Sequence, residues 1–261
     1  MPRELRIDPH VKVLDRAVVE RAKARGLDAL VYAPHFTRLP EIRERAARFS
    51  DDELLVVPGR EVFAGSWRER KHVLGVGLTE PVPDFIGLGA AMDEFARQDA
   101  VVLVPHPDFA TVSLDEADVG RFRGSIDAVE VYNPKHLPGH NRNARRIADR
   151  HDLPAFGSSY AHLRGTVGEV WTTFEGVEPT EEAVVEALRS DEPRRVERRR
   201  GRPHRLRCAA EFGHLFYENS AEKLYKLWRG PKPTNPYHPA YGGRFDDAAV
   251  YPRSVHRGGR R

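Results

Sequence analysis

Five histidines and one glutamate have side chains of the types that bind divalent metal ions. They are His10, His35, Glu61, His72, His106 and His162. The first five follow or lie within short runs rich in Val, Leu and Ile, which are typical of buried β-strands. Because strand ends meet at one rim of a sheet or barrel, we expect these side chains to lie together. Imidazole and carboxylate groups suit zinc, iron or manganese. The alternative is that the histidines only pack and form hydrogen bonds.

Apolar runs alternate with helical patterns as far as residue 190. The predicted strands are residues 5–7, 29–33, 54–58, 72–78, 100–104, 128–132, 155–157 and 170–174. The predicted helices are residues 15–25, 40–49, 86–97, 142–150 and 181–189. This alternation predicts an α/β fold with a parallel sheet, and the number of units predicts a closed, TIM-like barrel. A doubly wound open sheet is the alternative, but no glycine-rich phosphate loop follows the first strand.

The composition is that of a globular protein without membrane spans. Of the 261 residues, 31% are charged and 40% are hydrophobic. No apolar run reaches the roughly 18 residues that a transmembrane helix needs, and residues 1–4 do not resemble a signal peptide. A single cysteine, Cys208, excludes an internal disulfide framework and fits a reducing compartment. We therefore expect a cytoplasmic protein with no membrane partner.

Positive charge is concentrated near the C-terminus. Residues 194–261 hold 17 lysines and arginines against 6 aspartates and glutamates, a net charge of +11, whereas residues 1–193 carry −8. The excess comes mainly from Arg194, Arg195, Arg198, Arg199, Arg200, Arg202, Arg205 and Arg207, and then from Arg257, Arg260 and Arg261. Such clusters predict contacts with the phosphates of an anionic partner such as RNA. The alternative is a solvated charged face.

Residues 1–192 are assigned to the barrel, and residues 193–261 to a basic, helical and irregular C-terminal extension. Apolar residues at helical spacing predict one or two helices within 209–228. From Gly230 onward, proline and glycine predict an irregular strap. Its aromatic residues are Tyr237, Tyr241, Phe245 and Tyr251. They could stack on bases, but anchoring to the barrel is the preferred interpretation, because a proline-rich segment needs apolar contacts to stay ordered.

The segments that carry the candidate ligands resemble, in order and spacing, the PHP superfamily, which is named for domains of DNA polymerases and histidinol phosphatase. The matching segments are Ile7-Asp8-Pro9-His10, residues 26–30, Gly59-Arg60-Glu61-Val62, His72-Val73-Leu74-Gly75, His106-Pro107, Glu130-Val131-Tyr132-Asn133 and Ser159-Tyr160-Ala161-His162. The resemblance covers about residues 5–190. It implies a distorted seven-stranded β/α barrel that holds up to three divalent metals at its C-terminal rim and hydrolyses phosphoesters.

Three residues depart from the family pattern. Lys12 stands where the opening motif has a second histidine, and Pro34 and Tyr160 stand where the second and last motifs have aspartate. The first metal position would therefore keep only His10 and Glu61. The ammonium group of Lys12 would also repel a dication at contact distance. The resemblance thus implies that the first metal is lost.

The other two metal positions are affected less. By the same resemblance, the second position would keep Glu61, His72 and His106 and would bind one zinc, manganese or iron ion. The third position would keep only His35 and His162. We therefore expect at most one divalent transition metal per chain.

Two functions remain open at this stage. The first is a divergent metal-dependent phosphoesterase with a phosphorylated substrate. In that enzyme Lys12 would bind a substrate phosphate, and His10 or His35 would transfer protons. The second is a catalytically inactive PHP-fold protein without metal, whose basic C-terminal region binds RNA or a ribonucleoprotein such as the ribosome. A serine hydrolase is disfavoured because no Gly-x-Ser-x-Gly elbow is present.

Overall fold

The computed structural model describes residues 4–66, 69–109, 112–217 and 233–250. Within these residues the strands are β1 (Glu4–Val11), β2 (Ala29–Tyr32), β3 (Leu55–Ala64), β4 (Lys71–Val76), β5 (Val101–Val104), β6 (Ala128–Tyr132), β7 (Ala155–Gly157), β8 (Val170–Glu175) and β9 (Arg194–Arg198). The helices are α1 (Arg16–Ala24), α2 (Leu39–Phe49), α3 (Leu88–Arg97), α4 (Glu116–Arg121), α5 (Pro138–Arg150), α6 (Glu181–Arg189) and α7 (Arg202–Tyr217). Together they form an α/β protein built around one sheet.

The sheet curves into a nearly closed barrel. Its strands follow the order β7-β6-β5-β4-β3-β2-β1-β8-β9, and the two outermost strands, β7 and β9, lie against each other. At Gly157 a Cβ atom would overlap the side chain of Val196, so this close approach requires glycine. The α/β barrel predicted from alternating strands and helices is confirmed.

The sheet is mixed rather than parallel throughout. The pairs within β1-β2-β3 and within β5-β6-β7 are parallel, whereas β3-β4, β4-β5, β1-β8 and β8-β9 are antiparallel. The connection from β3 to β4, residues 65–70, is too short for the crossover that a parallel pair needs. Alternation of strands and helices does not reveal this reversal, because a hairpin within the barrel looks like another strand pair in the sequence.

Two strands extend beyond their predicted ends. Strand β1 continues to Val11, and β3 continues past Pro58 and Gly59 to Ala64. Every residue of β3 after its first is buried, so packing on both faces maintains the strand through residues that usually interrupt one. As a result, His10 and Glu61 lie within strands rather than after them.

The five predicted helices are present, with shifts of a few residues at their ends. Helix α1 begins after Asp15, whose carboxylate accepts a hydrogen bond from the Val18 N–H at 3.0 Å. It stops before Gly26, whose φ of 72° only glycine adopts without strain. The prediction lacks helix α4. This helix has only six residues, which is too short for a repeat of apolar residues at helical spacing to be recognised.

The C-terminal extension continues the sheet and covers part of the barrel. Strand β9 pairs with β8, and the Asp84 N–H donates to the Thr234 carbonyl at 2.8 Å. Tyr241 and Phe245 are buried in an apolar cluster with Phe95 of α3, as the anchoring interpretation predicts. Tyr251 and residues 218–228 of the predicted helical segment lie outside the described residues. The division at residue 192 stays a prediction, and the sheet itself runs across it.

Candidate metal centre

One buried carboxylate, Glu61, lies at the centre of the candidate site. Its oxygens have four histidine nitrogens nearby: His10 Nε2 at 3.4 Å, His35 Nδ1 at 2.8 Å, His72 Nδ1 at 3.4 Å and His106 Nε2 at 3.5 Å. The ring of His162 is centred 5.6 Å from that of His35. The six candidate side chains therefore lie together, and their functional roles stay predictions.

The barrel strands deliver these side chains to one rim. His10 lies on β1 and Glu61 on β3, while His35, His106 and His162 follow β2, β5 and β7. His72 comes from the beginning of β4 instead. Because β4 is antiparallel to β3, its first residues lie beside Phe63 at the end of β3. The strand reversal thus places His72 where the neighbouring parallel strands end.

Three of these residues form a group suited to a metal ion. Ligand atoms of Glu61, His72 and His106 all lie within 4.8 Å of one another. Ligands in a tetrahedral zinc site lie about 3.4 Å apart, given metal–ligand distances of about 2.0–2.2 Å. Glu61 Oε1 matches that spacing, at 3.4 Å from His72 Nδ1 and 3.5 Å from His106 Nε2. Among the described residues none of these three buried atoms has a hydrogen-bond partner, which is costly unless a cation binds them.

Ser113 holds the ring of His106 in one orientation. His106 Nδ1 lies 2.9 Å from Ser113 Oγ, and the Ser113 hydroxyl donates to the Phe109 carbonyl at 2.8 Å. Since the hydroxyl proton is already used, Nδ1 of the neutral ring must donate, and the lone pair lies on Nε2. Nε2 faces Glu61 Oε1 at 3.5 Å. Two acceptors therefore face each other across a gap that a cation can bridge.

Ser113→Ala should weaken metal binding about 10–100-fold, because the ring of His106 loses the partner that fixes its tautomer. Ser113→Thr keeps the hydroxyl and should bind metal as the unchanged protein does. Competition between the apo protein and a chromophoric zinc chelator measures the affinity. Equal affinities for the alanine variant and the unchanged protein would show that Ser113 does not orient His106.

Electrostatics keep the carboxylate of Glu61 charged and the imidazoles of His10 and His72 neutral. Burial alone would raise the pKa of Glu61, but Lys12 and His35 lower it, and the pKa lies well below its ordinary value. Burial lowers the pKa of His72 to about 4. Burial, with a further contribution from Lys12, also lowers the pKa of His10 well below its ordinary range. One carboxylate and neutral imidazoles are the protonation states in which these groups bind metals.

Lys12 occupies the side of Glu61 that faces away from His72. Its ammonium group bonds to Glu61 Oε2 and donates to the Ala33 carbonyl at 2.7 Å. Burial lowers the pKa of Lys12 to about 8, against the opposite effect of Glu61. Lys12 therefore remains mainly protonated at neutral pH, and its charge lies beside Glu61 Oε2.

Tyr160 fills the space next to Lys12. Its ring is centred 4.7 Å from that of His10 and 4.9 Å from that of His106, and the residue is buried. The backbone of Tyr160 has a φ of 44° and that of His106 a φ of 36°, both in the left-handed region. Residues other than glycine adopt this backbone conformation only at a cost in conformational free energy, and such residues recur at functional sites. By the resemblance, Tyr160 is the residue that stands in place of a metal-binding aspartate.

Two buried residues of the site were not found from the sequence. Lys135 has its ammonium group 4.0 Å from the centre of the Tyr160 ring and 3.3 Å from Glu211 Oε2. Glu211 also accepts hydrogen bonds from the backbone N–H groups of His162 and Leu163, each at 2.8 Å. Lys135 follows β6, and its place at a strand end could have indicated it. Glu211 comes from α7, and no pattern in the sequence connects that helix to the barrel rim.

Of the eight predicted phosphate-binding arginines that the structure describes, five have partners within the protein. Arg194 donates to the Leu188 carbonyl, Arg195 pairs with Glu4 and Glu175, Arg198 donates to the Tyr132 hydroxyl, Arg199 donates to the Arg25 carbonyl, and Arg207 pairs with Glu169. Arg200, Arg202 and Arg205 are exposed. Arg257, Arg260 and Arg261 lie outside the described residues. The phosphate contacts therefore stay a prediction, which now rests mainly on the exposed arginines.

In the described part of the chain, helices long and apolar enough to cross a membrane are absent.

The family model of the PHP-associated region matches residues 138–193, from α5 to the end of the segment after α6. An uncharacterized protein of Methanocaldococcus jannaschii is 29% identical over 125 residues. That match covers 45% of this chain and 51% of the relative, so it spans about half of each.

Three solved structures have a similar fold. PsfC from Pseudomonas syringae has a TM-score of 0.62 at 19% identity, covering 84% of this chain and 99% of its own. A two-domain protein from Bacteroides vulgatus contains a predicted PHP-like metal-dependent phosphoesterase. It has a TM-score of 0.58 at 17% identity, and the match covers 80% of this chain and 70% of that protein. An amidohydrolase from Chromobacterium violaceum with bound sulfate and no metal has a TM-score of 0.51 at 17% identity. The match covers 74% of this chain and 97% of that protein.

At such low identity these structures establish the fold alone. The family model adds a match in the sequence itself, over the last third of the barrel. The barrel in turn brings the histidines and the glutamate of the family motifs to one rim. Residues 138–193 therefore resemble the PHP-associated region in sequence, and the fold of the chain is similar to that of a protein that contains a predicted PHP-like phosphoesterase.

Proposed function

We propose that this protein is a divergent PHP-family phosphoesterase that uses one divalent transition metal. The observation that carries the proposal is the gap between Glu61 Oε1 and His106 Nε2, two buried acceptors that face each other at 3.5 Å. Together with His72 they offer one carboxylate and two imidazoles, which suits zinc, manganese or iron and leaves positions open for water. A metal held there would polarise a phosphoryl oxygen and lower the pKa of a bound water.

Lys12 can bind and orient a phosphate group in this site. Its ammonium group has three N–H donors, of which two are directed at Glu61 and the Ala33 carbonyl. The third can donate to a phosphate oxygen. A fixed positive charge at this place would stabilise negative charge that develops on the phosphoryl group, although less strongly than a dication does.

His35 is better placed than His10 to transfer protons. The side chain of His35 is 19% exposed and its Nδ1 lies 2.8 Å from Glu61 Oε2, whereas the side chain of His10 is completely buried. A proton carrier must exchange with solvent or product, so exposure decides between the two candidates. The proposal therefore gives His35 the role of general acid or base and gives His10 a packing role beside Tyr160.

An assay with p-nitrophenyl phosphate and its diester tests the proposed activity. The apo protein should be inactive, and adding manganese or zinc should produce slow turnover that His72→Ala and His106→Ala both abolish. Loss of two metal positions should place the rate about a thousandfold or more below that of a complete trinuclear site. A purified protein that binds no metal and hydrolyses neither ester would contradict the proposal.

RNA binding by the basic C-terminal region is the second candidate function, and it would apply with or without catalysis. Arg200, Arg202 and Arg205 favour it, because all three are exposed in a short stretch at the start of α7. The other arginines between 194 and 207 attach β9 and α7 to the barrel, so they contribute less. Contacts to phosphates would bind RNA or a ribonucleoprotein without reading base sequence.

RNA affinity should fall with salt with a log-log slope of magnitude about 4, if the three exposed arginines and three in the tail each contact a phosphate. Removing residues 252–261 should reduce that slope by about two. Fluorescence anisotropy with a single-stranded RNA between about 50 and 200 mM salt measures both values. Replacing Arg200, Arg202 and Arg205 by glutamine should weaken binding equally for all sequences.

The matched control for the RNA experiment replaces three exposed arginines elsewhere, Arg16, Arg48 and Arg121, by glutamine. It makes the same change in net charge on helices α1, α2 and α4, so long-range attraction falls equally in both variants. A difference in RNA affinity between the two triple variants would therefore come only from the loss of local phosphate contacts. No measurable affinity at about 50 mM salt, or equal losses in the two variants, would leave the arginines as a solvated face.

A further inference from the structure

A second buried carboxylate, Glu169, collects an unusual number of positive side chains. Its Oε1 atom lies 3.2 Å from Arg21 Nη2, 2.9 Å from Arg25 Nη2 and 3.0 Å from Arg207 Nη1. His204 Nδ1 lies 2.8 Å from the other oxygen, Oε2. Arg21 lies on α1 and Arg25 directly follows that helix, while α7 contributes Arg207 and His204, so the group lies where α7 meets the barrel.

Arg199 adds a fourth guanidinium group beside them. Its Nη2 donates to the Arg25 carbonyl at 2.9 Å, and its backbone N–H donates to the Glu169 carbonyl at 2.9 Å. Its Nε is buried and has no hydrogen-bond partner within the described residues. We call Arg21, Arg25, Arg199 and Arg207 the four-arginine cluster.

The positive charge of the four-arginine cluster exceeds what Glu169 can neutralise. Four guanidinium groups against one carboxylate leave a net charge of +3. Besides burial, three charged groups act on Arg25: the carboxylate of Glu169 and the guanidinium groups of Arg199 and Arg207. One negative charge is thus set against two further positive charges. Burial, and then the charges of Arg25 and Arg207, lower the pKa of Arg21. Arginine does not lose its proton under these conditions, so an anion bound beside these groups would relieve their repulsion.

Part of the cluster is accessible from outside. The side chains of Arg21, Arg25 and Arg207 are 22%, 16% and 35% exposed, whereas that of Glu169 is completely buried. Each guanidinium has five N–H donors, and Glu169 accepts from only one on each of these three arginines. Unused donors on neighbouring planar groups suit a tetrahedral oxyanion, which accepts several charge-assisted hydrogen bonds at once.

We propose that the four-arginine cluster is a binding site for a phosphate group. A clamp between α7 and the barrel would need only Glu169, His204 and Arg207, and the surplus charge of Arg21 and Arg25 would weaken such a clamp. The site is separate from the metal centre, since it contains none of the candidate metal ligands. It therefore does not depend on whether the protein hydrolyses phosphoesters. The phosphate can belong to a nucleic-acid backbone or to a free phosphate ion.

Isothermal titration of the full-length protein with inorganic phosphate, at constant ionic strength in chloride, tests the proposal. We expect saturable binding with one phosphate per chain. Arg25→Gln should weaken it about tenfold or more, since it removes a charge-assisted hydrogen bond. Arg16→Gln is the matched control, because Arg16 lies on the same helix, is 90% exposed on its side chain and contacts Glu20 instead. It should bind phosphate as the unchanged protein does.

Two further measurements distinguish the source of the phosphate. If the ligand is a backbone phosphate, Arg25→Gln should also weaken binding of a single-stranded RNA oligonucleotide, and inorganic phosphate should compete with the RNA. If the ligand is a free ion, Arg25→Gln should weaken phosphate binding alone. Circular dichroism verifies the fold of the variant, and Arg25→Lys, which keeps the charge but loses the planar fork, should show a smaller loss. Absence of saturable phosphate binding together with unchanged RNA affinity in Arg25→Gln would overturn the proposal.

Discussion

Glu61→Gln should abolish metal binding and lower the free energy of unfolding by about 3–5 kcal/mol, because a single substitution removes the anion from two interactions. Glu61 is the one anionic residue in the candidate ligand set of Glu61, His72 and His106. It is also the buried partner of the Lys12 ammonium group. The amide of glutamine keeps the shape of the side chain but carries no charge for either cation.

The loss of stability follows from Lys12 rather than from the metal. Removing one member of a buried ion pair leaves the other charge without compensation, which costs more than removing both. Lys12→Met together with Glu61→Gln should therefore recover most of the stability, while metal binding stays lost. The pair of variants separates the structural role of the carboxylate from its role as a ligand.

Urea denaturation of the apo proteins and elemental analysis of the purified proteins measure the two effects. The unchanged protein should hold at most one metal per chain, and both variants should hold none. If Glu61→Gln retained a full equivalent of metal, the centre would have to be assigned to other residues. If the double variant were no more stable than the single one, Lys12 would not be the source of the loss.

The strands and the positions of the candidate metal ligands could be predicted because both depend on local pattern. Apolar runs identify buried strands, and residues near strand ends meet at a barrel rim, so His35 and His106 were placed from the sequence alone. The reversal of β4 could not be predicted, yet it did not displace His72, because the beginning of an antiparallel strand lies where its neighbours end. Local pattern was thus sufficient for residues on the barrel itself.

Residues that join distant segments could not be predicted. Glu211 reaches the rim from α7, where it bonds to the backbone of His162, and nothing near it in the sequence indicates that contact. The partners of the arginines within the protein could not be predicted for the same reason. Arg195, for example, forms an ion pair with Glu4, which lies far away in the chain. A count of charges shows an excess, but only the fold shows which charges already have partners.

By the resemblance to the PHP pattern, Lys12 and Tyr160 together would replace the ligands of the first metal position. The ammonium group supplies one positive charge next to Glu61, and the tyrosine ring fills space beside His10. Each substitution alone would leave a defect: an uncompensated carboxylate oxygen without Lys12, or a cavity without Tyr160. With both residues present, the rim is packed beside His10 and the charge of Glu61 has a partner, so the arrangement of the strands would not depend on a metal in the first position.

Lys12→His combined with Tyr160→Asp should raise the bound metal from about one to two per chain. The double variant would supply an imidazole and a carboxylate next to His10 and Glu61, which together form the ligand set of the first position in the family pattern. The rate of phosphoester hydrolysis should rise with the metal content, by as much as about a thousandfold. A second metal stabilises the negative charge that develops on the phosphoryl group, which Lys12 alone compensates poorly.

Single variants provide the controls for this gain. Lys12→His alone should bind little extra metal, because the ring of Tyr160, 4.7 Å from that of His10, still fills the position of the missing ligand. Lys12→Met removes the charge without adding a ligand, so it should gain neither metal nor activity. Elemental analysis and initial rates with excess manganese measure both quantities. A double variant that folds, as judged by circular dichroism, and still holds one metal would show that more than these two residues dismantled the first position.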